Sequence, residues 1–70
     1  MNTKFLDYDV VKSTKALCAN VPENTLGAVL MIFPSKPPEY EVEFVDSKGE
    51  SIAVLTVKES DLSLVQRDDQ

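Results

Sequence analysis

The sequence contains no histidine, no tryptophan and only one cysteine, Cys18. A single cysteine cannot form an internal disulfide, and without histidine it cannot complete the four nitrogen and sulfur ligands of a zinc site. A catalytic cysteine also needs a neighbouring base, usually histidine, to generate the reactive thiolate. We therefore expect no catalytic residue, no metal and no cofactor, and we interpret Cys18 as a small residue beside a loop.

Long apolar runs and positive charge are also scarce. The longest apolar run, Ala28–Phe33, is far shorter than the roughly 20 residues that cross a bilayer. The N-terminus has early acids and lacks the apolar core of a secretory signal. The formal net charge of -5 opposes attraction to nucleic acid phosphates and anionic membranes. These features predict a cytoplasmic protein with no nucleic-acid partner and no membrane partner.

What the chain does have is the composition of a small folded domain. It has 70 residues, of which 43% are hydrophobic, and this composition argues against disorder. We expect one domain over residues 1–70, with an ordered core over about residues 5–66 and a polar tail at 67–70. A chain of this size buries only about 60% of its unfolded surface, so good local packing or self-association must stabilise it.

Five segments are predicted to be strands, and the connections between them carry turn or loop signals. In the first segment Val10, Val11 and Thr14 favour a strand, although the same residues also fit one side of a short helix. Proline and asparagine mark a long loop at residues 18–27, and three prolines mark the connection at 34–39. The strands are expected over Asp9–Leu17, residues 26–33, Tyr40–Val45, Ser51–Lys58 and Leu62–Val65.

The central hairpin shows the clearest alternation. The turn at residues 46–49, "DSKG", is typical of a type I turn closed by a left-handed glycine. If Asp46 opposes Glu50, the hairpin pairs Phe44 with Ile52, Val42 with Val54, Glu43 with Ala53 and Glu41 with Leu55. This register predicts an inner face of Tyr40, Val42, Phe44, Ile52 and Val54, and an outer face of Glu41, Glu43, Ala53 and Leu55.

A single helical turn is expected at residues 58–62, "KESDL", before the last strand. Short strands, mostly tight connections, one long early loop and this helical turn are the elements of a small closed β barrel, in the order of an SH3-like barrel. The predicted fold class is therefore all-β, a five-stranded SH3-like barrel, in which closure removes exposed sheet edges.

Residues 26–62 resemble a family of short uncharacterised bacterial proteins that is common in cyanobacteria. The resemblance lies in the "YEVEF" strand, the D-x-x-G turn, the aliphatic "IA-L-T" strand and an acidic-x-leucine ending, and "LDYDVV" resembles the family's start. This family usually has a glycine-containing segment where the present chain has only "NTLGAV". The resemblance implies an SH3-like barrel without an assigned activity, and it supplies no catalytic residues.

Other binding chemistries lack support in the sequence. Calcium needs six to eight converging oxygens, but Glu39, Glu41 and Glu43 are spread about 6.5 Å apart along a strand. The motif "LDYDV" is similar to one in proline-binding SH3 domains, yet five aromatics are too few for their groove. Nucleic acid binding would need more basic residues than the Lys4, Lys12 and Lys15 cluster. The carboxylates that could in principle supply oxygens to calcium are Asp7, Asp9, Glu39, Glu41, Glu43, Asp46 and Glu50, and they are expected to form a solvated acidic face.

The acidic strand permits two interpretations. Glutamates on alternate positions keep one face of the hairpin in water and discourage strand stacking. An apolar centre framed by acid is also typical of a docking surface for a basic protein. We therefore predict a non-enzymatic interaction module that binds a basic partner through Glu41, Glu43, Ala53 and Leu55. The alternatives are an antitoxin- or immunity-like inhibitor, a homodimer formed through the same face and, less favoured, a nucleic-acid-binding barrel.

Overall fold

The computed structural model describes residues 3–68 and contains five antiparallel strands in a single sheet. The strands lie in the order β4-β3-β2-β1-β5, and a short 3-10 turn at Glu59–Asp61 precedes the last one. This all-β arrangement confirms the predicted fold class. The strands are β1 (Val10–Ser13), β2 (Leu26–Phe33), β3 (Glu39–Val45), β4 (Ser51–Lys58) and β5 (Leu62–Gln66).

The first strand is shorter than predicted, although the choice of strand over helix is correct. It ends at Ser13, whose buried hydroxyl donates to the Pro22 carbonyl at 2.8 Å and accepts the Thr25 N–H at 3.0 Å. The next residue, Thr14, lies outside the strand, and its N–H donates to the Asp61 carbonyl just before β5. The serine thereby closes the base of the long loop between β1 and β2.

The sheet has two edges, formed by β4 and β5. Ladders join β1 to β2, β1 to β5, β2 to β3 and β3 to β4, and no ladder joins β4 to β5 within residues 3–68. The hydrogen-bonded closure expected of a full barrel is therefore missing from this part of the chain. The 3-10 turn connects the two edge strands instead.

The hydrophobic core lies on the inner face of the sheet. Alternate residues of β3 are fully buried, as the pleat of a strand requires when one face packs and the other meets water. The rest of the core comes from the other strands, the N-terminal segment and the long loop. The buried hydrophobic residues are Phe5, Val11, Val21, Val29, Tyr40, Val42, Phe44, Val57 and Leu62.

The turn of the central hairpin forms as predicted. The Gly49 N–H donates to the Asp46 carbonyl, and the Asp46 N–H donates to the Glu50 carbonyl, both at 2.9 Å. Gly49 has φ 81°, in the left-handed region that favours glycine. The register beyond the turn is different from the prediction.

A bulge at Ile52 shifts the hairpin register by one residue. Val45 opposes Ser51, but Phe44 opposes Ala53, so Ile52 is the extra residue on β4. The predicted pairs of Phe44 with Ile52 and Val42 with Val54 are therefore wrong, as are Glu43 with Ala53 and Glu41 with Leu55. The observed partners are Glu43 with Val54, Val42 with Leu55, Glu41 with Thr56 and Tyr40 with Val57.

The shift exchanges the two faces of β4. Val54, predicted to lie in the core, points outward and is half exposed. Ala53 and Leu55, predicted to lie on the outer face, pack against the core with Ile52. A one-residue slip moves every side chain of a strand to the opposite face, and a bulge produces that slip without disturbing the turn.

Candidate functional site

Three glutamates of β3 form a continuous line on the outer face of the sheet, which we call the acidic stripe: Glu39, Glu41 and Glu43. Each alternates with a fully buried core residue, so the three carboxylates point away from the core. All three side chains are partly buried against their neighbours on the sheet. The stripe therefore lies on a rigid central strand and not on a loop.

Apolar side chains flank the stripe on both neighbouring strands. Glu43 lies between Ala28 of β2 and Val54 of β4, because directly paired residues share a face of the sheet. Glu41 lies between Met31 and Thr56. Met31 is 50% exposed and Val54 is 49% exposed. At Glu41 and Glu43 the outer face thus combines negative charge with apolar surface, whereas Glu39 at the end of the stripe lies opposite Lys58 of β4.

The carboxylates of the stripe form no ion pair within residues 3–68. The ion pairs of this part of the chain join Lys15 to Asp61 and Arg67 to Asp9, and neither involves the stripe. No side-chain hydrogen bond within the same residues uses a stripe carboxylate. Glu39 lies opposite Lys58 of β4, whereas Glu41 and Glu43 have no cationic partner on β2 or β4 and are free to interact with an incoming cation.

The structure separates the four residues of the predicted docking site. Glu41 and Glu43 lie on the outer face as expected, whereas Ala53 and Leu55 lie on the core side of β4. Met31 and Val54 occupy the apolar positions beside the glutamates, and the sequence reading had missed both. Met31 reaches the outer face because a bulge at Leu30 interrupts β2 between Val29 and Met31.

The other candidate residues either stabilise the fold or lack neighbouring groups that would give them a chemical role. The Cys18 side chain is exposed, and its backbone forms an isolated bridge with Val21. The Asp46 carboxylate accepts the N–H groups of Lys48 and Glu50 and so stabilises the hairpin turn. No group of three or more His, Cys, Asp or Glu side chains within residues 3–68 is arranged to hold a metal ion.

Asp9 is a buried carboxylate that joins the two ends of the chain. It is fully buried and forms an ion pair with Arg67 at 2.9 Å. Its oxygens also accept the Leu6 N–H at 2.9 Å and the Asp68 N–H at 3.1 Å. Arg67 and Asp68, which belong to the polar tail expected at 67–70, contact Asp9. The remaining tail residues, 69–70, lie outside the described part of the chain.

A second polar contact ties the N-terminal segment to the 3-10 turn. The Tyr40 hydroxyl donates a hydrogen bond to Glu59 Oε2, and the Lys4 N–H donates to the same oxygen at 3.0 Å. The Tyr40 ring meets the Phe5 ring edge-on, with centroids 5.3 Å apart. Burial, followed by the hydrogen bond to Glu59, raises the pKa of Tyr40, while the bonds from Tyr40 and Lys4 lower the pKa of Glu59.

Tyr40→Phe is expected to change how stability depends on pH. The raised pKa of Tyr40 means that its contribution is complete below the ordinary value of 10.0 and is lost as the pH rises through the folded value. The lowered pKa of Glu59 means that its contribution is present above 4.5 and is lost as the pH falls through the folded value. Without the hydroxyl, the alkaline loss should disappear and the acid loss should shrink, at a cost near neutral pH of about 1 kcal/mol.

Urea unfolding between about pH 3 and about pH 12 measures this effect, since the range covers both titrations. Tyr8→Phe is the matched control, because the same hydroxyl is removed from an exposed side chain. The control should follow the wild-type profile. Identical profiles for the two variants would show that the contact between Tyr40 and Glu59 contributes nothing to stability.

A groove of about 630 Å³ lies between the long loop and the central hairpin. Apolar side chains contribute part of its wall, among them Pro22, Leu26 and Ile52. Asp46 is the ionisable residue that lines it, and its carboxylate already accepts two hydrogen bonds of the hairpin turn. The groove therefore offers surface for packing but little free charge, in contrast to the acidic stripe.

No helix among residues 3–68 has the length and apolar character needed to cross a membrane.

Comparison with known proteins gives a family and nothing more specific. No curated protein and no solved structure matches the chain. One family model, described as Domain of unknown function (DUF4926), matches residues 7–64, which include β1 to β4 and most of β5. The chain therefore belongs to the DUF4926 family, and the expectation of an uncharacterised family is confirmed.

Proposed function

We propose that the protein is a non-enzymatic interaction module that binds a basic protein segment on its acidic stripe. The observation that carries the proposal is the pair of carboxylates of Glu41 and Glu43, which form no ion pair within residues 3–68 and are flanked by the exposed side chains of Met31 and Val54. Charge on such a surface raises the association rate, and apolar contact beside the charge slows dissociation.

Whole-molecule charge supports the same partner chemistry. The formal net charge of -5 attracts cationic segments over distances up to about the Debye length, roughly 10 Å at 0.1 M salt. A lysine- or arginine-rich segment of a cytoplasmic protein would supply the complementary charge. An inhibitor of a basic toxin or enzyme would use the surface in the same way, so the antitoxin-like role is one form of this proposal.

Reversal of the stripe charge, Glu41→Lys with Glu43→Lys, is expected to slow association by about tenfold or more, because electrostatic steering is removed. The probe is a lysine-rich synthetic peptide, and its association rate is followed by surface plasmon resonance at low and high salt. For the wild type, the rate should fall as salt screens the stripe. Both glutamates lie on the outer face, so the double variant should remain folded.

The matched control reverses two exposed acids away from the sheet, Asp7→Lys with Glu23→Lys. It changes the net charge by the same amount as the stripe variant but leaves the stripe intact. We expect the control to retain most of the wild-type association rate. Equal losses in the two double variants would mean that net charge alone attracts the peptide and that the stripe is not its docking surface.

A further inference from the structure

The two edge strands of the sheet differ in how well they are protected from pairing with another chain. β5 has five residues, and its ladder with β1 is interrupted by a bulge between Val10 and Val11. Its end is held by the contacts of Arg67 and Asp68 with Asp9. Short length and bulges are the ordinary means by which an edge avoids further pairing. β5 is therefore a poor template for an added strand.

β4 is less protected, because its bulge at Ile52 lies near its start and leaves a long regular segment after it. It has eight residues, and its ladder with β3 is unbroken from Ala53 to Lys58. The segment Ser51–Val57, "SIAVLTV", contains no charged residue, no proline and no glycine. Natural edge strands usually carry such residues to prevent unwanted pairing. The segment from Ala53 to Val57 is regular and uncharged, and it is therefore suited to receive another strand.

The backbone of β4 is also available for hydrogen bonding. Within residues 3–68, its ladder runs to β3, and the remaining backbone bonds of the chain involve no residue of Ser51–Val57. In an antiparallel ladder, every second residue directs its N–H and C=O groups away from the paired strand. These outward groups of β4 therefore form a row of donors and acceptors without a partner in the described chain.

We infer that the basic partner binds as an extended strand along the edge of β4 and adds a sixth strand to the sheet. This inference rests on the proposed function, since the acidic stripe selects the partner's charge. An added strand lies two strand spacings from β3, or about 10 Å. This distance is comparable with the Debye length at 0.1 M salt, about 10 Å, so cationic side chains on the added strand interact with Glu41 and Glu43.

The two faces of β4 define the sequence pattern that the added strand requires. On the outer face its side chains lie beside Val54, Thr56 and Lys58; lysine or arginine is favoured beside Val54 and Thr56, one strand away from Glu43 and Glu41, but not beside Lys58. On the inner face its side chains lie beside Ala53 and Leu55, which are partly buried against the core, and there apolar residues are favoured. The partner is therefore a strand of alternating basic and apolar residues.

The same edge is less suited to a second copy of this chain. Each copy carries a formal net charge of -5, and pairing of two β4 edges brings two such chains together. Like charges oppose this approach at low salt. A basic strand gains from the same charge, so charge complementarity favours the basic strand as the occupant.

Hydrogen exchange measured by NMR tests the inference on the unmodified protein. The probe is a capped synthetic peptide of about ten residues that alternates lysine with valine, since this length spans the whole of β4. In the free protein, the outward amides of β4 should exchange rapidly and the amides paired with β3 slowly. Saturation with the probe should slow the outward amides of Ile52–Val57 by about tenfold or more. A control peptide with glutamate in place of lysine should leave them unchanged.

The outcomes separate this inference from the proposed function. Probe binding that depends on Glu41 and Glu43 but leaves the outward β4 amides unprotected overturns strand addition and leaves stripe docking intact. Protection that is equal for Glu41→Lys with Glu43→Lys and for the wild type overturns the role of the stripe. If the outward β4 amides become protected without probe as the protein concentration rises, the edge pairs with a second copy of the chain. That result overturns the choice of a basic strand as the occupant. Absence of any probe binding overturns both proposals.

Discussion

Phe44→Ala is expected to leave the protein largely unfolded at 25 °C. The Phe44 side chain is fully buried, and it packs directly over the backbone of the neighbouring strand. Gly27 is its cross-strand partner, and a Cβ at Gly27 would come within 3.0 Å of Phe44 Cδ1 and 2.7 Å of Val42 Cγ1. Truncating a buried phenylalanine costs about 3–5 kcal/mol, while a small domain has little more than about 5 kcal/mol in total.

Glu43→Ala is the matched control for this prediction, because Glu43 is the next residue of the same strand and lies on the outer face. We expect the control to change the free energy of unfolding by about 0.5 kcal/mol or less. Circular dichroism during urea titration measures both variants. A folded Phe44→Ala protein beside an unfolded Glu43→Ala protein would show that the assignment of inner and outer faces on β3 is reversed.

The second large effect is expected for Asp9→Ala. This change leaves the Leu6 and Asp68 N–H groups without their carboxylate acceptor and removes the ion-pair partner of Arg67. Loss of buried charge-assisted contacts should lower the free energy of unfolding by about 3 kcal/mol, since Arg67 is partly exposed and recovers some hydration. Urea unfolding at neutral pH measures the loss.

Asp7→Ala serves as the control for Asp9→Ala. Asp7 is an exposed aspartate two residues earlier in the same N-terminal segment, so its removal should cost about 0.5 kcal/mol or less. Hydrogen exchange provides a second measurement, because the amides of Leu6 and Asp68 should lose protection in Asp9→Ala and keep it in Asp7→Ala. Equal stability of the two variants would contradict the role of Asp9 in joining the chain ends.

Much of the fold was predictable because the strands differ in pattern from their connections. β2 and β4 have the bounds that were expected from their apolar runs, since proline or turn residues bracket them. The turn at residues 46–49 also formed as expected, because Gly49 supplies the left-handed conformation. The element order of an all-β, five-stranded domain follows from these local signals alone.

The hairpin register was not predictable for a physical reason that lies in β4. The strand is apolar on both faces: Ile52 and Val54 alternate with Ala53, Leu55 and Val57. Either set of residues can face the core, so the alternation of β4 does not choose between two registers one residue apart. The bulge at Ile52 makes the choice in the folded protein, and it places Val57 in the core and Val54 outside.

Asp9 was not recognised because its partners lie at the other end of the chain. In the sequence, Asp9 is simply an acidic residue near the N-terminus. Only the folded structure brings Arg67 and Asp68 into contact with it. Part of the candidate site could be predicted from the sequence, because its signal is local. Glu41 and Glu43 alternate with large hydrophobic residues within one strand, so local pattern was enough to place them on the outer face.

The most direct test of the docking proposal is a comparison of two baits in quantitative affinity capture from the native cell at low salt. One bait is the wild-type protein, and the other carries Glu41→Lys with Glu43→Lys. We expect a basic protein to be enriched on the wild type and reduced by about tenfold or more on the variant, because the stripe steers its association. Capture of the same proteins in equal amounts on both baits would contradict the assignment of the acidic stripe as the docking surface.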